Sequence, residues 1–194
     1  MDYIVKMTRN FASKELGDDL FGGFPHAQRV RKTALALAAK LGGDIKMIEI
    51  SVYLHDIVFD SKNRSTHATD SADKAAIFLK SIKCPQNLSH AVQKIIKLHE
   101  MENWNRSEKP KTIEEKIIYD AEAAESLSTL GLLRHISILK DQDCADTQIL
   151  KSLEKFVSKT YESIFFDNTK DMIEYDYRLV SEFISAAYKQ RDVL

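Results

Sequence analysis

The stretch Asp44-Ile45-Lys46-Met47-Ile48-Glu49-Ile50-Ser51-Val52-Tyr53-Leu54-His55-Asp56 decides the fold class. Ile48, Val52 and His55 recur at helical spacing while Lys46 and Glu49 face away, and Asp44 stands where a helix N-cap belongs. The two residues before it, Gly42 and Gly43, close another periodic segment in which Val30, Ala34, Leu37, Ala38 and Leu41 share a face. His55 thus points inward among aliphatic neighbours, where an unsatisfied imidazole is costly to bury.

The same period continues outward. Pro85 suits the first position of a helix whose stripe is Leu88, Ala91, Val92, Ile95 and His99, with Lys94 and Lys97 outside. Thr112 and Glu115 have capping-box spacing ahead of a row formed by Ile113, Ile117, Asp120, Ala124 and Leu127. Near the end of the sequence, Ile149, Leu153, Phe156, Thr160 and Ile164 predict one long helix, and Ile173, Tyr177, Val180, Ile184 and Ala187 predict another. A turn is expected at Asp167, Asn168 and Thr169. Strict alternation bounded by hairpin turns is missing, and the 6 glycines and 3 prolines gather at apparent helix ends. The expected fold is all-α, one domain over residues 1–194. Its motif-bearing core covers about residues 20–140, with a C-terminal helical hairpin at about 143–190 and loops at 59–67 and 102–111. The four-three spacing of the last two stripes suits packing within the chain and would equally suit a homodimer.

Composition narrows the function classes. The chain has 194 residues, 44% of them apolar, enough for one sizeable core. Its 28 basic and 29 acidic residues, net charge −1, are spread along the length. That balance argues against an extended nucleic-acid surface or an anionic-membrane binder. No run approaches the ~20 apolar residues of a membrane span, and the start lacks a signal-peptide core, so a cytoplasmic location is expected. Cys84 and Cys144 are too few and too isolated for a zinc-binding cysteine cluster or a disulfide framework.

His26, the pair His55-Asp56, and Asp120 place metal-liganding groups on the apolar faces of separate helices. One histidine in such a place is more often a satisfied core residue. The joint pattern reverses that weighing, because each helix would otherwise need its own unrelated hydrogen-bonding reason. Two imidazoles and two carboxylates make a mixed nitrogen and oxygen shell that suits Mn, Fe, Co, Ni, Zn or Mg better than calcium. Four protein ligands leave coordination positions open on an octahedral ion, the arrangement of a catalytic rather than a structural site.

The segments Phe24-Pro25-His26-Ala27-Gln28-Arg29-Val30, Tyr53-Leu54-His55-Asp56-Ile57-Val58 and Ile118-Tyr119-Asp120-Ala121-Glu122, in that order, resemble the HD-domain superfamily of metal-dependent phosphohydrolases. His67-Ala68-Thr69-Asp70-Ser71-Ala72 and the stretch from Asp120 to Gly131-Leu132-Leu133-Arg134 are closest in type to its small stand-alone bacterial and archaeal members. The resemblance implies a helical bundle holding one or two divalent ions, the first on His26, His55, Asp56 and Asp120. It places His67 and His99 beside that ion, as ligands of a second or as phosphate donors.

Asp56, with Asp60 a weaker choice, would take a proton from the attacking water. Arg29, then Lys62, Arg64 and Arg134, are the basic residues near enough in sequence to hold phosphate. The implied reaction is metal-activated hydrolysis of a nucleotide or another small phosphorylated metabolite. A di-iron oxygenase of the same fold and a non-catalytic binding module with a structural metal are the alternatives. The bland readings are that His67 and His99 border their helices, Lys62 and Arg64 are solvated, Arg29 pairs with an acid, and Glu122 and Glu125 lie on the surface. His90 and His135 take no assignment. Where many similar proteins carry Asp-Ala-Asp and then another Asp, this chain has Asp120-Ala121-Glu122 and then Glu125. No Gly-Tyr-Pro signature of cyclic-dinucleotide degradation is present, and the chain is shorter than the large deoxynucleotide triphosphohydrolases of the superfamily.

Overall fold

In the computed structural model, which describes residues 2–62, 66–100 and 108–191, every regular element is a helix. The order is α1 (Tyr3–Leu16), α2 (Phe24–Leu41), α3 (Ile45–Leu54), α4 (His67–Ser81), α5 (Gln86–Lys97), α6 (Ile113–Ser126), α7 (Thr129–Asp141), α8 (Asp146–Glu162) and α9 (Asp167–Arg191). The all-α expectation is met. The chain folds as two compact units, Met1–Glu122 and Ala123–Leu194, with α6 crossing from one to the other. None of the described helices is long and apolar enough to cross a membrane.

The first unit is built around α3, which packs against α1, α2, α4 and α5. Ile48, Ile50, Ser51, Val52, Tyr53 and Leu54 are all buried, so the helix is enclosed on nearly every side, as a central helix must be. Its two charged residues reach outward as the sequence implies: Lys46 pairs with Asp2 at 3.1 Å, and Glu49 accepts from Arg31 Nε at 2.7 Å. Both ends are set by the expected punctuation. Gly42 closes α2 at φ 85° with its N–H on the Ala38 carbonyl (2.8 Å), a left-handed position that glycine occupies without strain. The Asp44 carboxylate caps α3 by accepting from the Met47 N–H at 3.0 Å.

Other boundaries differ by small steps. Pro85 has ψ 135°, too extended for a helical residue, so it serves as the cap and α5 begins at Gln86. The capping box forms as read: Glu115 N–H donates to Thr112 Oγ1 (3.2 Å), and Thr112 N–H donates to Glu115 Oε2 (3.0 Å). Lys111 N–H also donates to Glu115 Oε2, at 2.6 Å, and Lys94 Nζ reaches Glu115 Oε1 at 2.5 Å.

In the second unit, α8 and α9 pack as the expected hairpin, burying Leu153, Val157 and Thr160 against Ile173, Val180 and Ile184. The Tyr161 and Tyr177 rings stack at 3.8 Å. The connection lies at residues 163–166, not at Asp167–Thr169. Asp167 instead opens α9, where a carboxylate complements the N-terminal end of the helix dipole. His135 stacks on Phe156 at 3.7 Å, which makes it a packing residue. Ser128 caps α7, accepting from the Gly131 N–H at 3.0 Å, and a Cβ at Gly131 would lie 2.1 Å from the Glu125 carbonyl oxygen. Only glycine fits that approach.

Candidate metal centre

Five elements of the first unit bring their side chains to one place. Before α2, the Asp19 carboxylate accepts from the Phe21 N–H (3.1 Å) and the Gly22 N–H (2.6 Å), and Phe24 N–H reaches back to the Gly17 carbonyl (2.9 Å). Gly23 is needed there, since a Cβ would stand 2.8 Å from the Asp19 backbone nitrogen. This folded turn starts α2 so that His26, in its first turn, is fully buried. Past the end of α3, His55 and Asp56 are also buried. His67 is the first residue of α4, and His99 follows the last turn of α5.

Two imidazoles are oriented by backbone carbonyls. His55 Nδ1 lies 2.6 Å from the Val52 carbonyl and His99 Nδ1 lies 2.6 Å from the Ile96 carbonyl. A carbonyl only accepts, so each Nδ1 carries a proton, and Nε2 is the nitrogen that faces the site and offers a lone pair once the ring is neutral.

Those Nε2 atoms meet in two pairs. His26 and His55 approach at 3.1 Å, and His67 and His99 at 3.4 Å. Asp56 stands between the pairs, with Oδ2 at 3.6 Å from both His26 and His55 Nε2. Its Oδ1 is 3.5 Å from His67 Nε2 and 3.4 Å from His99 Nε2. A glutamate completes each side: Glu122 Oε2 is 3.2 Å from His26 and 3.4 Å from His55, and Glu100 Oε2 is 3.5 Å from His67.

The donor set fits a cation. Ligand atoms about 2.1 Å from an ion are separated by about 3.0 Å at octahedral and about 3.4 Å at tetrahedral edges. The spacings here run from 3.1 to 3.6 Å. Lone pairs of imidazole and carboxylate directed at one another that closely need a positive charge between them, either a metal ion or protons.

In the metal-free protein, protons take that role. Burial presses the His55 imidazolium down, but the Asp56 and Glu122 carboxylates outweigh it and push its pKa up to about 9. His99 is likewise depressed by burial and raised on balance by Asp56 and Glu100. Burial raises the Glu122 carboxyl, yet His26 and His55 hold it well below the usual range.

The α6 carboxylate that faces His26 and His55 is that of Glu122, whereas Asp120, the expected ligand, is fully buried two residues earlier. Residues two apart on a helix differ by about 200° in direction, so Asp120 and Glu122 cannot serve one point. The apolar row misled because α6 has no polar face over this stretch: every residue from Ile117 to Glu125 is buried. The signal for Glu122 was the acid itself, standing where many similar proteins carry Asp. Glu100 was missed because it follows the helix end, where periodicity no longer speaks.

The expected phosphate-binding residues do not converge in the same way. Arg29 donates to the carbonyls of Leu20 (2.8 Å) and Phe21 (3.2 Å), holding the turn before α2. Lys62 is exposed in a turn where its N–H donates to Asp60 Oδ1 at 2.9 Å. Arg134 is buried on α7 in the second unit, and Arg64 lies outside the described residues.

The sequence matches the HD-domain family over residues 23–127, a span that contains every ligand named above. The chain belongs to the HD-domain family. Its buried histidine and acid clusters fit the divalent-metal sites that HD domains carry. Solved structures share the fold of this HD domain. A Lactobacillus plantarum protein superposes with a TM-score of 0.84 at 14% identity, covering 100% of this chain and 99% of that one. Bacillus subtilis YpgQ in complex with ADP gives a TM-score of 0.70 at 16% identity, covering 96% and 97%. An HD-superfamily hydrolase from Bacillus thuringiensis gives 0.65 at 21% identity, covering 98% and 97%. No curated protein matches the chain.

Proposed function

We propose that this HD domain is a divalent-metal-dependent phosphohydrolase that acts on a nucleotide or another small phosphorylated metabolite. The observation that carries the reading is Asp56, whose two oxygens each face a pair of imidazoles 3.4–3.6 Å away. One carboxylate shared by two such groups is the layout of a two-ion hydrolytic site. The fold shared with YpgQ, a protein solved with ADP, supports a nucleotide as the substrate class.

His26, His55, Glu122 and Asp56 Oδ2 would hold the first ion. His67, His99, Glu100 and Asp56 Oδ1 would hold a second. Bound there, divalent ions lower the pKa of water and offset the charge that grows on phosphoryl oxygens. The protein supplies orientation. The carbonyls of Val52 and Ile96 lock the tautomers of His55 and His99, and burial keeps bulk water from the ligand atoms.

Val58 N–H donates to Ser71 Oγ at 3.0 Å, tying the turn that bears Asp56 to the helix that begins with His67. With only the first group loaded, Asp56 Oδ1 would be placed to take a proton from water, and His67 and His99, when protonated, would donate hydrogen bonds from Nε2 to phosphoryl oxygens. The same four-imidazole arrangement would also serve a di-iron oxygenase, which oxygen-dependent turnover by iron-loaded protein would reveal.

The test is metal analysis of the purified protein, followed by turnover of nucleotides and phosphorylated metabolites with Mn, Mg, Ni or Fe. Phosphate, pyrophosphate or nucleotide release that disappears in Asp56→Ala is the expected result. Metal-loaded, folded protein that hydrolyses no phosphorylated compound would overturn the reading in favour of a binding module.

A further inference from the structure

Two apolar stripes run along α9, and only one of them is used within its own unit. Thr169, Ile173, Val180 and Ile184 are buried, whereas Met172, Tyr175, Leu179 and Phe183 are 39%, 66%, 39% and 52% exposed. Those four fall within an arc of about 80° around the helix. Contiguous apolar surface of this kind marks an interaction site.

The charges beside the stripe identify the partner. On the flank away from the buried stripe stand Asp171, Arg178, Glu182 and Lys189, reading acid, base, acid, base. Turned end for end, the row is its own complement. Asp171 meets Lys189 of the second copy, Arg178 meets Glu182, Tyr175 meets Phe183, and Leu179 lies near the axis facing itself. Only antiparallel pairing brings this flank against the same flank of the second copy, and the carboxylates of Asp171, Asp176 and Glu182 disfavour an anionic membrane.

We propose that the outer face of α9 is an antiparallel, two-fold interface with a second copy of this chain. Such an interface is self-complementary by symmetry and needs no second gene product. Arg178 Nε now lies 4.0 Å from Glu182 Oε1 within the helix, both side chains well exposed, so exchanging that pair across the axis gives up little. The stripe from Met172 to Ala186 spans only about 22 Å of helix, which sets the association in the weak, concentration-dependent class.

Sedimentation of the full chain from low micromolar to millimolar concentration is expected to move from one-chain to two-chain mass. Leu179→Asp changes an exposed position, so it leaves helix content by circular dichroism intact while weakening association at least about thirtyfold. Lys189→Glu or Asp171→Lys alone weakens it by about tenfold, since each change breaks two symmetric pairs. Asp171→Lys combined with Lys189→Glu restores it. One-chain mass at every concentration, unchanged association in Leu179→Asp, or failure of the double exchange to restore dimers would each overturn the proposal.

Discussion

Asp120 and Glu122 stand two residues apart on a helix buried on every side, and their substitutions separate a ligand from a buried acid. Glu122→Gln keeps the length and removes the charge that faces His26 and His55. Its first-ion affinity is expected to fall by at least the about 10- to 100-fold that loss of an outer-shell partner costs. Asp120→Asn leaves the metal content of the folded protein unchanged. Metal analysis after gel filtration checks both, and loss of metal in Asp120→Asn alone would reverse the assignment. The His55 pKa of about 9, raised from the ordinary 6.5, gives a second expectation at this scale. Its stabilisation of the metal-free fold is complete below pH 6.5 and lost as pH rises through 9. Glu122, held low, contributes above its ordinary 4.5 and loses its contribution only toward acid. The melting temperature of chelator-treated protein therefore falls between pH 6.5 and pH 9. Metal affinity moves the opposite way, rising over that interval because the ion displaces the His55 proton. A flat melting profile in chelator would count against the proton-held cluster.

Helix ends carry much of the information at the next scale. The Thr112 and Glu115 box starts α6 and so helps fix the azimuth at which Glu122 meets the histidines. Glu115→Ala strips the N–H groups of Lys111 and Thr112 of their acceptor and is expected to cost about 1–2 kcal/mol, read as a lowered urea midpoint with an unchanged slope. This box was legible in the sequence, as were Asp44, Gly42 and the stripes of α2, α3 and α5, because caps and periodicity are local. The helix α1 gave no comparable signal: its buried face includes Thr8 and Ala12, too small and polar to draw a stripe. The α8–α9 connection was placed four residues late because Asp, Asn and Thr open helices as readily as they make turns. The outer stripe of α9 was passed over because the inner one already satisfied the helical period.

Across the molecule, ligands from α2, the turn after α3, α4, the end of α5 and α6 converge within the first unit. Ions held in the two groups and joined through Asp56 would clamp elements distant in sequence, so loading is expected to stabilise that unit by mass action. Amide exchange with and without Mn should slow in α2 through α5 on loading and change little in α8 and α9; equal slowing in both units would contradict a clamp confined to the first. By itself the sequence determined the helical class, the positions of most helix ends and the residue types of a mixed imidazole and carboxylate site. Each of these follows from short-range rules of capping, period and ligand chemistry. Only the tertiary structure decided that Glu122 rather than Asp120 faces His26 and His55, that Asp56 is shared with His67 and His99, and that Arg29 is committed to the carbonyls of Leu20 and Phe21. Periodicity reports which face of a helix is apolar, and on a helix buried all round every face is. The choice among faces then falls to packing between helices, where distances across the chain are set.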